Sequence, residues 1–244
     1  MVFEMTQVWH PLVLSLKTLG CVAILLVCLG IPLAFLLAKE DMKYKWFFEA
    51  LVMFPLIFPP IAIGFLLLLL LGKYGWIGSY FNALGIGFIF EFKGLVLAGF
   101  IAALPLMVKP LQSAIELFPK AIKEASYTSG KSRFYTFVFI ILPCIKKSVI
   151  AALLIALARA LGEVGITLML GGNIVGKTDT ISLAIYNAVF DGEYDLALLL
   201  CSILIVISLS VFIALHFFQK EEHPFWLHVL QFLQKNRVKV LCKQ

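Results

Sequence analysis

Long apolar runs alternate along this chain with short segments that carry most of its charge. Five runs meet the length needed to cross a bilayer, about 20 mostly apolar residues. They cover residues 11–38, 47–72, 94–118, about 148–170 and about 196–218. A shorter apolar piece, 180–190, falls below that length and reads as a half-membrane or interfacial helix. It would make six segments by count. Lipid offers no hydrogen bonds to a bare backbone, so each run is predicted to be helical. The expected fold is an all-α, polytopic transmembrane helical bundle forming one domain over 1–244. Pro55, Pro59, Pro60 and Gly64 punctuate the second run, and Pro105 and Pro110 the third. Such breaks suit helices packed against protein or lining a path.

Composition agrees with the pattern. Hydrophobic residues make up 62% of the 244 residues and charged residues 14%, against about 45–50% and about 25% in soluble domains. A water-soluble surface cannot be built from this balance, so the principal partner is the lipid bilayer. The first run is far longer than the 7–15-residue core of a signal peptide, and no basic segment precedes it. It is expected to remain as a span.

The net charge of +6 matters through its placement. Lys39, Lys43 and Lys45 sit in one loop. Lys120, Lys123, Lys131, Arg133, Lys146 and Lys147 sit in another. Lys220, Lys235, Arg237, Lys239 and Lys243 sit in the tail over 219–244. The opposite loops hold only Lys73, Lys93 and Lys177. Basic loops face the cytoplasm, so the N-terminus is expected outside and the C-terminus inside. This account of the charge leaves no call for nucleic acid as a partner.

The chemistry-bearing residues are sparse. Cys21, Cys28, Cys144, Cys201 and Cys242 form no C-x-x-C pair, and His10, His216, His223 and His228 are scattered. Neither a disulfide framework nor a metal site is expected. No catalytic constellation is visible, and the chain is read as no enzyme. The stretch GGNIVGKT (171–178) spells G-x-x-x-x-G-K-[ST], a phosphate-cradling loop. Such a loop joins a strand to a helix beside an acidic magnesium partner. Here it follows a membrane run and falls on the outer side. It is read as a Gly-rich turn in which Thr178 or Asp179 caps the short helix that follows.

The basic loop over 119–143, with the preceding Phe118, is the most informative segment: FPKAIKEASYTSGKSRFYTFVFIILP. Pro119 suits a first helical position and Gly130 a helix end. One short helix is predicted between them, and Ser132 is positioned to cap a second that runs toward Pro143. Ala121, Ala125 and Ser126 are small enough for another protein to approach closely, and Lys123 and Glu124 supply a charged flank.

EASYTSG, nine residues, then IILP resembles the E-A-A-x(3)-G-x(9)-I-x-L-P signature of binding-protein-dependent ABC import permeases. Glu124, Ala125, Gly130, Ile140, Leu142 and Pro143 match it, and Ser126 replaces an alanine. The segment ARALGEVGITLMLGGNIVGKT (158–178) is similar to molybdate permeases, and that likeness covers residues 10–220. Sulfate permeases share the R-A-L-G-E-x-G part with a looser G-N-x(3)-K-T.

The resemblance implies a bundle of the type I ABC importer kind in a prokaryotic cytoplasmic (inner) membrane. It implies that Lys123, Glu124, Ala125, Ser126, Gly130, Ile140, Leu142 and Pro143 couple the chain to an ATPase. The implied partners are a second copy of the chain, two cytoplasmic ATPase subunits and an extracytoplasmic oxyanion-binding protein. No cofactor is implied for the chain itself, since ATP and magnesium would be bound by the partner subunits. The cargo implied is molybdate or tungstate. Sulfate or thiosulfate is the nearest alternative, and a secondary transporter or membrane-embedded enzyme the more distant ones.

Arg159 and Glu163 stand four residues apart in the fourth run. A lone charge at that depth costs about 2.5–3.5 kcal/mol, and an i,i+4 partner offsets it. Two roles fit: a translocation path or gate together with Asn173 and Thr178, or a structural pair that fixes helix packing.

Overall fold

The computed structural model describes residues 5–39 and 41–219. The basic tail of 219–244, apart from Gln219, lies outside them, as do His223, His228 and Cys242. The described residues form helices and turns, with no strand among them.

Helix α1 (Met5–Leu25) passes through a π-helical turn, Leu26–Gly30, into α2 (Ile31–Leu37), and together they form an apolar rod from Gln7 to Leu37. Pro32 has no N–H to give the carbonyl of Cys28, and the helical ladder widens just before it. Helices α3 (Lys45–Ile57) and α4 (Pro60–Leu71) replace the expected second span by a pair bent through 114°. Phe58 is extended (φ −84°, ψ 146°), as the residue before a proline must be, and Pro60 opens α4. At about 1.5 Å per residue α4 alone reaches only about 18 Å, short of a full crossing. Helix α5 (Trp76–Ala83) folds back on the end of α4, where a Cβ at Gly78 would lie 2.0 Å from the Gly72 carbonyl.

Helix α6 (Phe92–Glu116) runs unbroken through Pro105 and Pro110. It is the centre of the bundle. Leu95, Ala98, Ala102, Met107, Val108 and Leu111 are buried along it. Between lipid-solvated helices, burial against protein gains little over burial against lipid, and close approach through small residues decides the packing. Gly99 of α6 faces Ala160, with room for a Cβ only at 3.6 Å from that methyl group and 3.1 Å from Val22. Phe65, Leu66 and Leu69 on α4, and Val206, Leu209, Phe212 and Ile213 on the last helix, are exposed.

After α6 come α7 (Lys120–Thr128), α8 (Arg133–Thr136), a π turn (Phe137–Ile141) and α9 (Leu142–Cys144). Helix α10 (Lys146–Leu161) then leaves at 78° to the preceding segment. The chain ends, as described, with α11 (Gly165–Gly171), α12 (Ile181–Phe190) and α13 (Tyr194–Gln219).

The fourth span therefore differs from expectation. A continuous helix over 148–170 is not formed, because α10 stops at Leu161 and α11 starts at Gly165. The break has a packing reason. A Cβ at Gly165 would lie 2.9 Å from both Ile61 N and Pro60 Cβ, so the first turn of α11 sits directly on the first turn of α4. The segment of spanning length is instead Arg133–Cys144 followed by Lys146–Leu161. Among the described residues three helices are long and apolar enough to cross alone, and up to five crossings result if each bent pair counts as one. Counted that way, the number matches the five expected spans, with altered bounds for the second and fourth.

Candidate functional sites: a displayed helix and a sealed break

Helix α7 starts after Pro119 and ends in a glycine turn. Gly130 has φ +76°. Its N–H donates to Tyr127 O (2.9 Å), and that of Lys131 to Ser126 O (3.1 Å), the paired bonds of a left-handed helix stop. Ser132 accepts from the Tyr135 N–H at 3.1 Å, so it caps α8 as its sequence position implied. The helix beyond runs as far as Cys144, through Pro143, by widening into the π turn that includes Phe139, the residue whose carbonyl Pro143 leaves without a donor.

The motif residues divide by direction. Glu124, Ala125 and Ala121 are exposed. Ser126 is buried, and its hydroxyl meets that of Thr136 at 2.8 Å. It ties α7 to α8 rather than lining an outward face, a correction to its grouping with Ala121 and Ala125. A helix turns about 100° per residue, so neighbours in sequence point to different sides. Lys123 folds back to donate to Ile115 O at 2.7 Å, satisfying a carbonyl at the end of α6. Ile140 and Leu142 pack on the main core, and Phe137 stacks on Phe35 of α2 at 4.2 Å. Pro143 is exposed. The spacing of the signature is thus explained: a presented turn, a glycine reversal and two apolar anchors. Beside the knob is a cleft of about 280 Å³ lined by Lys39, Asp41, Lys123, Glu124, Tyr127 and Arg133 among others.

The second region is the break between α10 and α11. Arg159 Nη1 and Glu163 Oε2 are 2.6 Å apart. Glu163 Oε1 accepts the N–H of Ile166 at 2.8 Å, so the carboxylate also acts on the free start of α11. Thr167 donates to Glu163 O (2.8 Å) and Ser182 to Leu161 O (2.7 Å). Side chains thus take over backbone groups that the interrupted ladder frees, as a break at membrane depth requires. The Glu163 side chain is 1% exposed and that of Arg159 29%. The pair ends one helix and begins another instead of lying mid-helix.

Asn173 has φ +52° and forms a reciprocal amide pair with Asn187, which pins the 171–178 turn to α12. Thr178 closes that turn on itself. Its hydroxyl donates to Gly171 O (2.7 Å) and accepts from Ile174 N–H (2.9 Å). It does not cap α12, and neither does Asp179. The Ile181 N–H is taken by Ser15 Oγ of α1 at 2.9 Å, because α1 passes close enough to supply a tertiary cap.

Two polar features were missed in the sequence. Asp179 lies 3.0 Å from His10 Nδ1, a link between distant segments with no local signal. At the other end Lys45 meets Glu116 (2.8 Å), Lys109 meets Glu49 (3.6 Å), and Gln112 donates to both carboxylates and to Leu37 O. These contacts fix α3 to the end of α6. Gln112 and Lys109 inside an apolar run were the available signal. Among the described residues no group of three His, Cys, Asp or Glu side chains converges on a metal position, and Cys21, Cys28, Cys144 and Cys201 are free.

Apolar spans around a central helix, with a short charged helix held at one end, fit a multi-pass membrane protein. The chain belongs to the family of binding-protein-dependent transport system inner membrane components, whose family model matches residues 30–221. Among its relatives is the molybdenum transport system permease protein ModB of Azotobacter vinelandii, 35% identical over 83% of this chain and 90% of that one. The ModB protein of Escherichia coli K12 is 34% identical over 74% and 80%. A structural neighbour is a bacterial ABC transporter involved in the import of the acidic polysaccharide alginate, with a TM-score of 0.62. At 20% identity, covering 88% of this chain and 80% of that one, it shows the fold: that of a type I ABC importer permease. The protein is an inner-membrane, multi-pass transport subunit.

Proposed function

We propose that this chain is the membrane-spanning subunit of an ATP-driven importer of molybdate or tungstate. The observation that carries the cargo is the name shared by relatives that are 34–36% identical over most of the chain. The chain pairs with a second copy, takes anion from an extracytoplasmic binding protein, and is driven by two ATPase subunits that hold ATP and magnesium. It hydrolyses nothing itself and needs no cofactor of its own. Its N-terminus is outside and its C-terminus inside, a reading that rests on the basic loops.

Helix α7 is the coupling element in this reading. The anchoring of Ile140, Leu142, Ser126 and Lys123 supports it, because a rigidly held knob transmits motion to the spans while Glu124 and Ala125 remain free to be enclosed. Arg159 and Glu163 act as a structural pair. Glu163 is held against Arg159 and repels a passing anion, and both of its carboxylate oxygens serve the fold; Asn173 and Thr178 likewise hold the turn together. Alternating access then proceeds by movement of helices around sealed breaks.

The test is reconstitution in proteoliposomes with the ATPase subunits and the binding protein. ATP-dependent uptake of labelled molybdate, competed by tungstate and not by excess sulfate, is the expected result. Uptake of sulfate with no molybdate accumulation would overturn the cargo, and uptake without ATPase subunits would overturn the class.

A further inference from the structure

We propose that a single buried water molecule is bound between α1, the α10–α11 break and the start of α12. A small chamber there is lined by Ser15 and Thr18 of α1, Glu163 and Thr167 of the break, and Thr180 ahead of α12. Its volume is about 10 Å³, which is the room one water needs. A tetrahedral oxyanion or a hydrated cation does not fit, so the chamber is no part of an anion path despite lying beside the Glu163 partner of Arg159.

The hydrogen-bonding capacity of the walls selects the occupant. Thr180 is 7% exposed and its hydroxyl has no partner within the chain. Ser15 Oγ has accepted the Ile181 N–H, and its own proton remains to be given. Thr18 has given its proton to Leu14 O (2.9 Å) and Thr167 to Glu163 O (2.8 Å), and each oxygen can still accept. Two O–H donors, the remaining lone pairs of the four hydroxyls and the Glu163 carboxylate therefore face one small space. Water offers the complement, two donors and two acceptors. An anion would face the Glu163 carboxylate, and a bare cation would find that carboxylate's charge already offset by Arg159, whereas neutral water can both donate and accept. Without a partner, a buried hydroxyl such as that of Thr180 is destabilising. With the water, three segments that share no other common polar partner are joined at one point.

Two measurements on the full-length chain in lipid nanodiscs test this. The first is a short X-ray pulse in isotopically labelled water, which generates hydroxyl radicals where water is bound. Leu95 lines the chamber, whereas Leu111 of the same helix is equally buried in the main core. Leu95 is expected to take up label severalfold more than Leu111, and to fall to the level of Leu111 in Thr180→Val. Equal labelling of the two leucines in the unaltered chain would overturn the proposal. The second is the sign of a melting shift. Thr180→Val keeps the shape and removes the hydroxyl. If that hydroxyl binds water, Tm falls by about 2–4 °C. A rise in Tm would mean a dry, unpartnered hydroxyl had been removed, and the water site would be rejected.

Discussion

The turn at Gly130 and the break at Gly162–Val164 are built from like parts, a short helix, a glycine and charged side chains, yet they put their charges to opposite uses. At α7 the structure is secured from behind. Lys123 reaches back to α6, Ser126 bonds Thr136, and Ile140 and Leu142 enter the core. Glu124 and Ala125 are left outward. At the break nothing is left outward from the carboxylate: Glu163 meets Arg159 and the Ile166 N–H. The difference teaches how to tell an interaction surface from a joint when both carry charged residues in a membrane protein. A surface has its structural bonds on one side only, whereas a joint uses its polar atoms to replace missing backbone bonds.

The comparison is broken most severely at Ala125. Trp in its place adds bulk to a small, exposed position of the displayed helix. Overlap in a close-packed contact costs about 1–3 kcal/mol, or roughly a 5- to 150-fold loss of affinity. Ala125→Trp is expected to lose its ATPase in co-purification and to abolish uptake, while the chain itself melts normally. An unaltered complex that still couples hydrolysis to uptake would remove α7 from the coupling role.

At the break the effect falls on stability instead. Glu163→Ala leaves Arg159 uncompensated and the Ile166 N–H without an acceptor. Removal of one partner from a buried pair costs about 3–5 kcal/mol, and the lower end applies because Arg159 is 29% exposed and can turn toward water. The expected reading is a melting temperature lowered by roughly 6–12 °C and less folded protein. The Arg159→Ala, Glu163→Ala double variant is expected to be less harmed than the sum of the singles, since it strands no charge. Additive losses, or normal melting with uptake lost in Arg159→Ala alone, would make the pair a path element and dissolve the contrast.

A smaller effect sharpens the comparison at Gly130. Nothing lies within 4 Å of the place a Cβ would occupy, yet φ is +76°. The cost of Gly130→Val is therefore conformational, about 1–2 kcal/mol, with no clash to add. Expression and insertion of the spans should be unchanged, and the ATPase activity that the assembled complex couples to uptake should fall because the turn is re-aimed. If coupling is unaffected, the left-handed stop is not needed to place α7.

The bundle itself was legible in the sequence because the lipid requirement is written in run length, and five apolar runs became five possible crossings. What was not legible were the places where two segments meet. The break at 162–164 follows from Gly165 approaching Pro60 and Ile61, and no property of 148–170 alone reveals that contact. The same holds for α12, whose first free N–H goes to Ser15 instead of the nearby Thr178. In the loop, local rules for Pro119, Gly130 and Ser132 gave the right elements. They could not show that Ser126 faces inward, which depends on Thr136 arriving opposite it.

The smallest expected effect belongs to the most suggestive spelling. In a phosphate-cradling loop the threonine hydroxyl serves magnesium and the backbone N–H groups converge on phosphate. In GGNIVGKT the threonine is occupied: Thr178 bonds Gly171 O and the Ile174 N–H across the turn. Lys177 is exposed, and the turn joins two helices where a cradle would join a strand to a helix. Lys177→Ala should therefore leave ATP hydrolysis by the assembled complex unchanged and alter stability by no more than about 0.5 kcal/mol, as for an ordinary surface substitution. Thr178→Val at the other end of the same match should lower the melting temperature, because two backbone groups of the turn lose their partner. The measurement is ATPase activity of the purified chain alone and of the complex, with and without each substitution. Hydrolysis by the lone chain that disappears in Lys177→Ala would place a nucleotide site on this loop, and would overturn the reading of the turn as a self-closed connector.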